Sequence, residues 1–171
     1  MKYDLEYYER TLYLNSVTSE KIANIRWNFV KQAKAKTVLD FGSGVPWFRV
    51  FRPPGVEVDT YDVGIAPQTG IRRKEYDLIT FWDVLEHLSD LNMANFMLHH
   101  TKWAAVTVPI LPEGVLLYKW HHYKPGEHIA TFTEHSIEEF FNTRGFELVK
   151  SGSPECKIRS DIGSFLFKRN V

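Results

Sequence analysis

Three short stretches carry the side chains whose types and spacing could do chemistry. The first, "VLDFGSG" (38–44), sets an acid, Asp40, and two glycines, Gly42 and Gly44, at the end of an apolar run. Glycines there let the backbone turn sharply and let a ligand approach closely. Two phosphate-binding loops are disfavoured. A dinucleotide loop needs a further glycine at 47, where Trp47 stands, and a P-loop needs Gly-Lys-Ser/Thr, which is absent. The second stretch, "VEVDTYD", ends in Asp62, 18 residues after Gly44. A carboxylate at that place can accept both hydroxyls of a ribose. Loop and acid together suggest a nucleoside bound without phosphates; the alternative is a steric strand-to-helix turn and a turn aspartate before Gly64. The third stretch is "YDLITFWDVLEHLSD" (76–90). Asp83 falls just past a strand end, where open α/β sheets bind ligands. Glu86 and His87 reach the same crevice, and His87 can accept a proton near neutral pH. Helix capping or packing is the competing role for His87.

Other reactive side chains receive no role. His121, His122 and His128, with Glu127, match no standard zinc spacing. Asp83, Glu86 and His87 offer too few reliable carboxylates for a hard divalent ion. No metal site is assigned. Cys156 is the single cysteine, so no intrachain disulfide forms, which fits a reducing compartment.

The elements that must position these residues follow from periodicity. Residues 18–34 predict a helix with Ile22, Ile25, Phe29, Val30 and Ala33 on one face and Thr18 as its cap. A shorter helix is expected over 3–14. Strands are expected at 37–41, 56–61, 77–82 and 103–108. The first, third and fourth are almost continuously apolar, as in strands buried on both faces. A helix over 89–102 between the last two implies a parallel sheet with a right-handed crossover. "PWFRVF" reads as a short helix with Pro46 at its first position. Residues 109–132 form a long loop of the kind that is usually functional. A helix capped by Thr133 and ended by Gly145 follows, then two strands with an antiparallel edge.

The chain has 171 residues, zero formal net charge and no long basic run, which argues against nucleic-acid binding through phosphate neutralisation. It has neither a signal-type N-terminus nor an apolar run long enough to span a bilayer. No membrane and a cytoplasmic location are expected.

Taken in order and spacing, these motifs resemble a class I S-adenosylmethionine-dependent methyltransferase. The likeness is to the small-molecule group of the ubiquinone-biosynthesis type (type 23), and it covers about residues 20–169. "VLDFGSG" and "VDTYDV" are similar to that family's first two motifs, "YDLITFWDVLEHLSD" to its fourth-strand motif and "AAVTVPI" to its fifth strand. "YKPGEHIATFTEHSIEEFFNTRGFELV" is similar to the loop, helix and sixth strand of this group. The resemblance implies one domain over 1–171, with an N-terminal helical cap (1–35) and a Rossmann-like α/β core (36–171). That core would be a mostly parallel sheet with an antiparallel C-terminal edge and a shortened third-strand region.

It also implies S-adenosyl-L-methionine as cofactor and an unknown small-molecule acceptor. Asp40, Phe41, Gly42 and Gly44 would surround the methionine part, Asp62 the ribose, and Val63 the adenine. Trp82 and Asp83 would close the far side, and Arg26 would grip the cofactor carboxylate. His87 would be the catalytic base, with His128 second. The sequence departs from the family between Asp62 and Tyr76, where 13 residues are too few for the usual helix and strand. A non-catalytic methyltransferase-like binding domain is the alternative, and a homodimer paired through the shortened edge is a possible assembly.

Overall fold

The computed structural model describes residues 16–64 and 69–170. Helix α1 (Ser16–Val30) is followed by strand β1 (Thr37–Phe41), helix α2 (Trp47–Val50), β2 (Glu57–Tyr61) and β3 (Tyr76–Trp82). Then come α3 (Asn92–Leu98), β4 (Thr101–Pro109), α4 (Glu134–Asn142), β5 (Phe146–Gly152) and β6 (Ile162–Arg169). The six strands form one sheet in the order β2-β1-β3-β4-β6-β5. Strands β2, β1, β3 and β4 run parallel, and β6 enters antiparallel between β4 and β5. The fold is therefore the mostly parallel α/β sandwich with an antiparallel C-terminal edge.

The continuous apolar strands have a direct cause. Neighbours along each strand point to opposite faces, and both faces are covered. Leu39, Ile79 and Val106 pack with Phe141, Phe165 and Phe167 on one side. Val38, Leu78 and Ala105 pack with Phe29, Val30 and Phe48 on the other. Trp27 of α1 stacks on Phe48 of α2 at 4.0 Å and donates to its carbonyl, so α1 is fixed over the end of β1.

Several boundaries differ from expectation. Helix α1 already includes Thr18, so Thr18 is not its cap, and a short 3-10 turn (Lys31–Ala33) with left-handed Lys34 ends it. Helix α3 stops at Leu98 because Thr101 and Lys102 begin β4. Pro46 sits at the N-cap rather than the first helical position, where its carbonyl accepts from Val50 N–H. The helix expected over 3–14 lies outside the described residues. Thr133 caps α4 with a reciprocal Thr133–Ser136 capping box, as its sequence suggests.

Among the described residues no helix or strand lies between Tyr61 and Tyr76. The third-strand region is short, as expected, and among the described residues β2 is the edge of the sheet.

Candidate functional site

A cavity of about 250 Å³ opens at the C-terminal ends of β1, β2 and β3, with α1 as its opposite wall. Asp40, Phe41, Gly42, Gly44, Asp62, Val63, Trp82, Asp83, Arg26 and His87 all line it. The fold thus gathers every expected cofactor residue and one of the two catalytic candidates.

The glycine loop is built for close approach. Gly42 and Gly44 have φ of 71° and 52°. A Cβ on Gly42 would stand 2.5 Å from Val84 Cγ2, so a side chain there collides as well as strains. Gly42 and Ser43 N–H both donate to the Tyr61 carbonyl, which ties the loop to the end of β2. Asp62 completes the tie. Its Oδ2 accepts from Gly44 N–H at 2.8 Å and its Oδ1 from Gly64 N–H at 2.7 Å. Two backbone donors hold a carboxylate in place at the cavity wall.

Asp40 is buried beneath this loop and accepts from Thr80 Oγ1 at 2.8 Å. Burial pushes its carboxyl up to about 7, against the pull of the Thr80 hydrogen bond and of Arg26. The Phe41 ring belongs to the core, stacked on Tyr61 and tilted against Phe81. Val63 is 87% exposed, so it flanks the cavity from the solvent side. Trp82 is buried with an indole N–H that has no partner among the described residues, the kind of orphan donor that a ligand satisfies.

Sequence reasoning missed two charged residues. Arg159 and Glu155, in the β5–β6 connection, close a ring with Arg26 and Asp83. Arg26 donates to Asp83 Oδ2 (2.7 Å) and Glu155 Oε1 (2.8 Å). Arg159 donates to both Asp83 oxygens (3.0 and 3.1 Å) and to Glu155 Oε2 (2.5 and 3.0 Å). Two cations and two anions neutralise each other in a nearly dry site. Burial would raise the Asp83 carboxyl, but the facing Arg159 and Arg26 guanidiniums overcome it and hold it at about 2. Asp83 itself has φ of 60°, and its N–H donates to the Thr107 carbonyl and hydroxyl. Arg26 is therefore engaged by two carboxylates rather than held out for a ligand alone. Its Nη1 makes no hydrogen bond among the described residues, and the side chain still lines the cavity.

The two histidine candidates meet. A 3-10 turn (Leu85–His87) follows β3, and Ile129 and Ala130 N–H both donate to the Glu86 carbonyl. This main-chain clip brings His128 of the long loop against His87, ring centroids 4.9 Å apart. His87 Nδ1 lies 3.0 Å from the Glu127 carbonyl. His128 stands behind His87 and does not line the cavity. Burial lowers the pKa of both imidazoles, so both favour the neutral form. Glu86 is pushed well up by burial and by nearby Asp83.

A mostly parallel sheet with a glycine loop after β1, and with acids after β2 and β3, places the cavity at the strand ends where open α/β sheets bind ligands. Residues 13–151 match the family described as a methyltransferase domain, and the chain belongs to that family. A search of curated proteins finds no match. Solved structures with the same fold include the magnesium protoporphyrin IX methyltransferase of Synechocystis PCC 6803, at 16% identity and a TM-score of 0.60, covering 91% of this chain and 84% of that one. Another is the 1,6-didemethyltoxoflavin-N1-methyltransferase of Burkholderia thailandensis, at 16% identity and 0.63, covering 90% and 79%. The mitomycin 7-O-methyltransferase MmcR matches at 12% and 0.65, covering 90% of this chain but 54% of its own.

Proposed function

We propose that the protein transfers a methyl group from S-adenosyl-L-methionine to a small-molecule acceptor. The observation that carries this reading is Asp62, held by two backbone amides beside a glycine loop that has neither a further glycine at 47 nor a Gly-Lys-Ser/Thr run. In this reading Asp62 receives the ribose hydroxyls and Val63 borders the adenine. Asp40 faces the cationic methionine end, where a carboxylate stabilises both ammonium and sulfonium. Arg26, through its remaining donor, meets the cofactor carboxylate, and Trp82 and Asp83 close the far wall. The S-adenosylhomocysteine bound in the Synechocystis and Burkholderia enzymes supports the cofactor. The methyl on a sulfonium is already activated. The protein's main task is alignment of acceptor, methyl and sulfur, which supplies up to about 7–11 kcal/mol in favourable cases.

The acceptor's proton leaves at the His87 end of the cavity, and His87, backed by His128, is the proposed group that handles it. A small molecule rather than a nucleic acid is favoured by zero net charge. No helix of the described residues is long and apolar enough to cross a membrane, and we place the protein in the cytoplasm.

Calorimetric titration with S-adenosylmethionine and S-adenosylhomocysteine tests the reading. Both bind, and Asp62→Ala weakens each at least tenfold. No heat at millimolar ligand would sink the enzymatic reading, and unchanged affinity in Asp62→Ala would reject the ribose role.

A further inference from the structure

The β5–β6 connection is wet almost throughout. Over 151–160 only Glu155 is buried, and it is 0% exposed. A surface loop that turns one carboxylate inward, and no apolar side chain, gains no hydrophobic energy from doing so. Buried ion pairs add little stability compared with apolar side chains of the same size. The place of this charge therefore has a reason other than holding the loop down.

The reason lies in what Glu155 touches. Arg26 stands on α1 at the cavity wall. A guanidinium on a long stem has many rotamers, and a ligand that must stop it loses affinity to the ordering. Here three contacts have stopped it already. Arg26 Nε donates to Glu155 Oε1 at 2.8 Å, and Nη2 donates to Asp83 Oδ2 at 2.7 Å. Its Cζ lies over the Trp82 ring, 5.0 Å from the centroid. The acceptors are themselves fixed. Asp83 sits at φ 60° with its N–H on Thr107, and Glu155 Oε2 accepts from Nε and Nη2 of Arg159. Two of the five Arg26 N–H donors are engaged. Nη1 is the end left over, without a hydrogen bond among the described residues.

Charge balance completes the device. Two carboxylates on one guanidinium would turn this wall negative and repel an anion. Arg159 donates to both carboxylates and restores neutrality. Arg26 is thus tightly held and can still offer a donor to a carboxylate. Glu155 does not line the cavity, so it reaches a ligand only through Arg26. We propose that Glu155 is a positioning residue: with Asp83, and with its charge balanced by Arg159, it holds the Arg26 guanidinium in the orientation that reads the carboxylate of the cofactor's amino-acid end. That role rests on the methyl-transfer reading.

Calorimetry on the full chain compares two probes, S-adenosylhomocysteine and its decarboxylated analogue, which keeps the nucleoside, the thioether and the ammonium. Wild type prefers the first by about tenfold or more, the range of a hydrogen bond between charged groups. Arg26→Met abolishes the preference. Glu155→Leu lowers it by about fivefold or more, while affinity for the decarboxylated probe stays within about twofold, which also shows that the variant is folded. Adding Glu155→Leu to Arg26→Met leaves Arg159 and Asp83 as a neutral pair and changes the preference no further. Equal weakening of both probes in Glu155→Leu would make the residue merely structural, and a stronger preference would mean that it tunes charge alone; either result overturns the proposal. So does a wild type that does not distinguish the probes. If S-adenosylhomocysteine gives no heat with wild type, the cofactor reading falls and the Glu155 role with it. If it binds and the preference survives intact in Glu155→Leu, only the Glu155 role falls.

Discussion

Burial raises the Asp40 carboxyl to about 7, although Thr80 and Arg26 both favour its charged form. The consequence for stability has a definite sign. Between about 4 and 7 the folded chain holds a proton on Asp40 that the unfolded chain has lost. The contribution of this residue to stability therefore falls as pH rises through that window and is flat above it. Cofactor binding has the opposite dependence. A cationic ligand end wants the carboxylate, so affinity falls by up to tenfold per pH unit below 7, and binding near pH 7 expels part of a proton. Asp40→Asn separates the two effects. Its unliganded form melts higher than wild type at pH 8, and it binds S-adenosylmethionine more weakly, with no proton release. Thermal melts at pH 5 and 8, and calorimetry in two buffers of different ionisation enthalpy, read this directly. A wild-type affinity that does not change from pH 8 to pH 5 would show that Asp40 does not face the cationic end.

At the scale of elements, the charge ring fastens the β5–β6 connection to α1 and to the end of β3. Breaking a buried pair from one side is damaging because it leaves the partner charged and dry. Arg159→Met strands Asp83 and Glu155 with one guanidinium between them and costs on the order of 3 kcal/mol. Adding Glu155→Gln restores neutrality, so the double variant loses less than the sum of the singles in urea denaturation, with a coupling of roughly 1–3 kcal/mol. Strict additivity would mean that the ring is a surface feature. The ring also marks where sequence reading stops. Strands were legible because both-face burial writes a continuous apolar run. Asp40, Asp62, Asp83 and His87 were legible because each ends, or closely follows, such a run. Glu155 and Arg159 show only an i,i+4 charge pair, which looks like any solvated helical turn. Their partners lie 129 and 76 residues away, and only the sheet order brings them together.

At the scale of the whole molecule, β2 is the edge of the sheet among the described residues, and an open edge invites pairing with another copy. The sequence suggested a homodimer on that ground. The folded chain closes much of this edge with its own residues. Thr60 N–H donates to Thr69 Oγ1 at 2.7 Å, and Gly70 N–H donates to the Thr60 carbonyl at 3.0 Å. Behind them the buried Asp59 carboxylate accepts from Tyr76 Oη at 2.9 Å and from Arg72, while Arg73 pairs with Glu57. A charged edge with the Thr60 backbone groups already paired is a poor template for a second strand. Light scattering should therefore give a mass near 20.0 kDa. Tyr76→Phe removes one donor from Asp59 and costs about 1–3 kcal/mol. If the segment at 69–73 is what seals the edge, this variant also begins to self-associate with rising concentration. A wild-type mass of twice the chain would show instead that the missing strand is supplied by a partner.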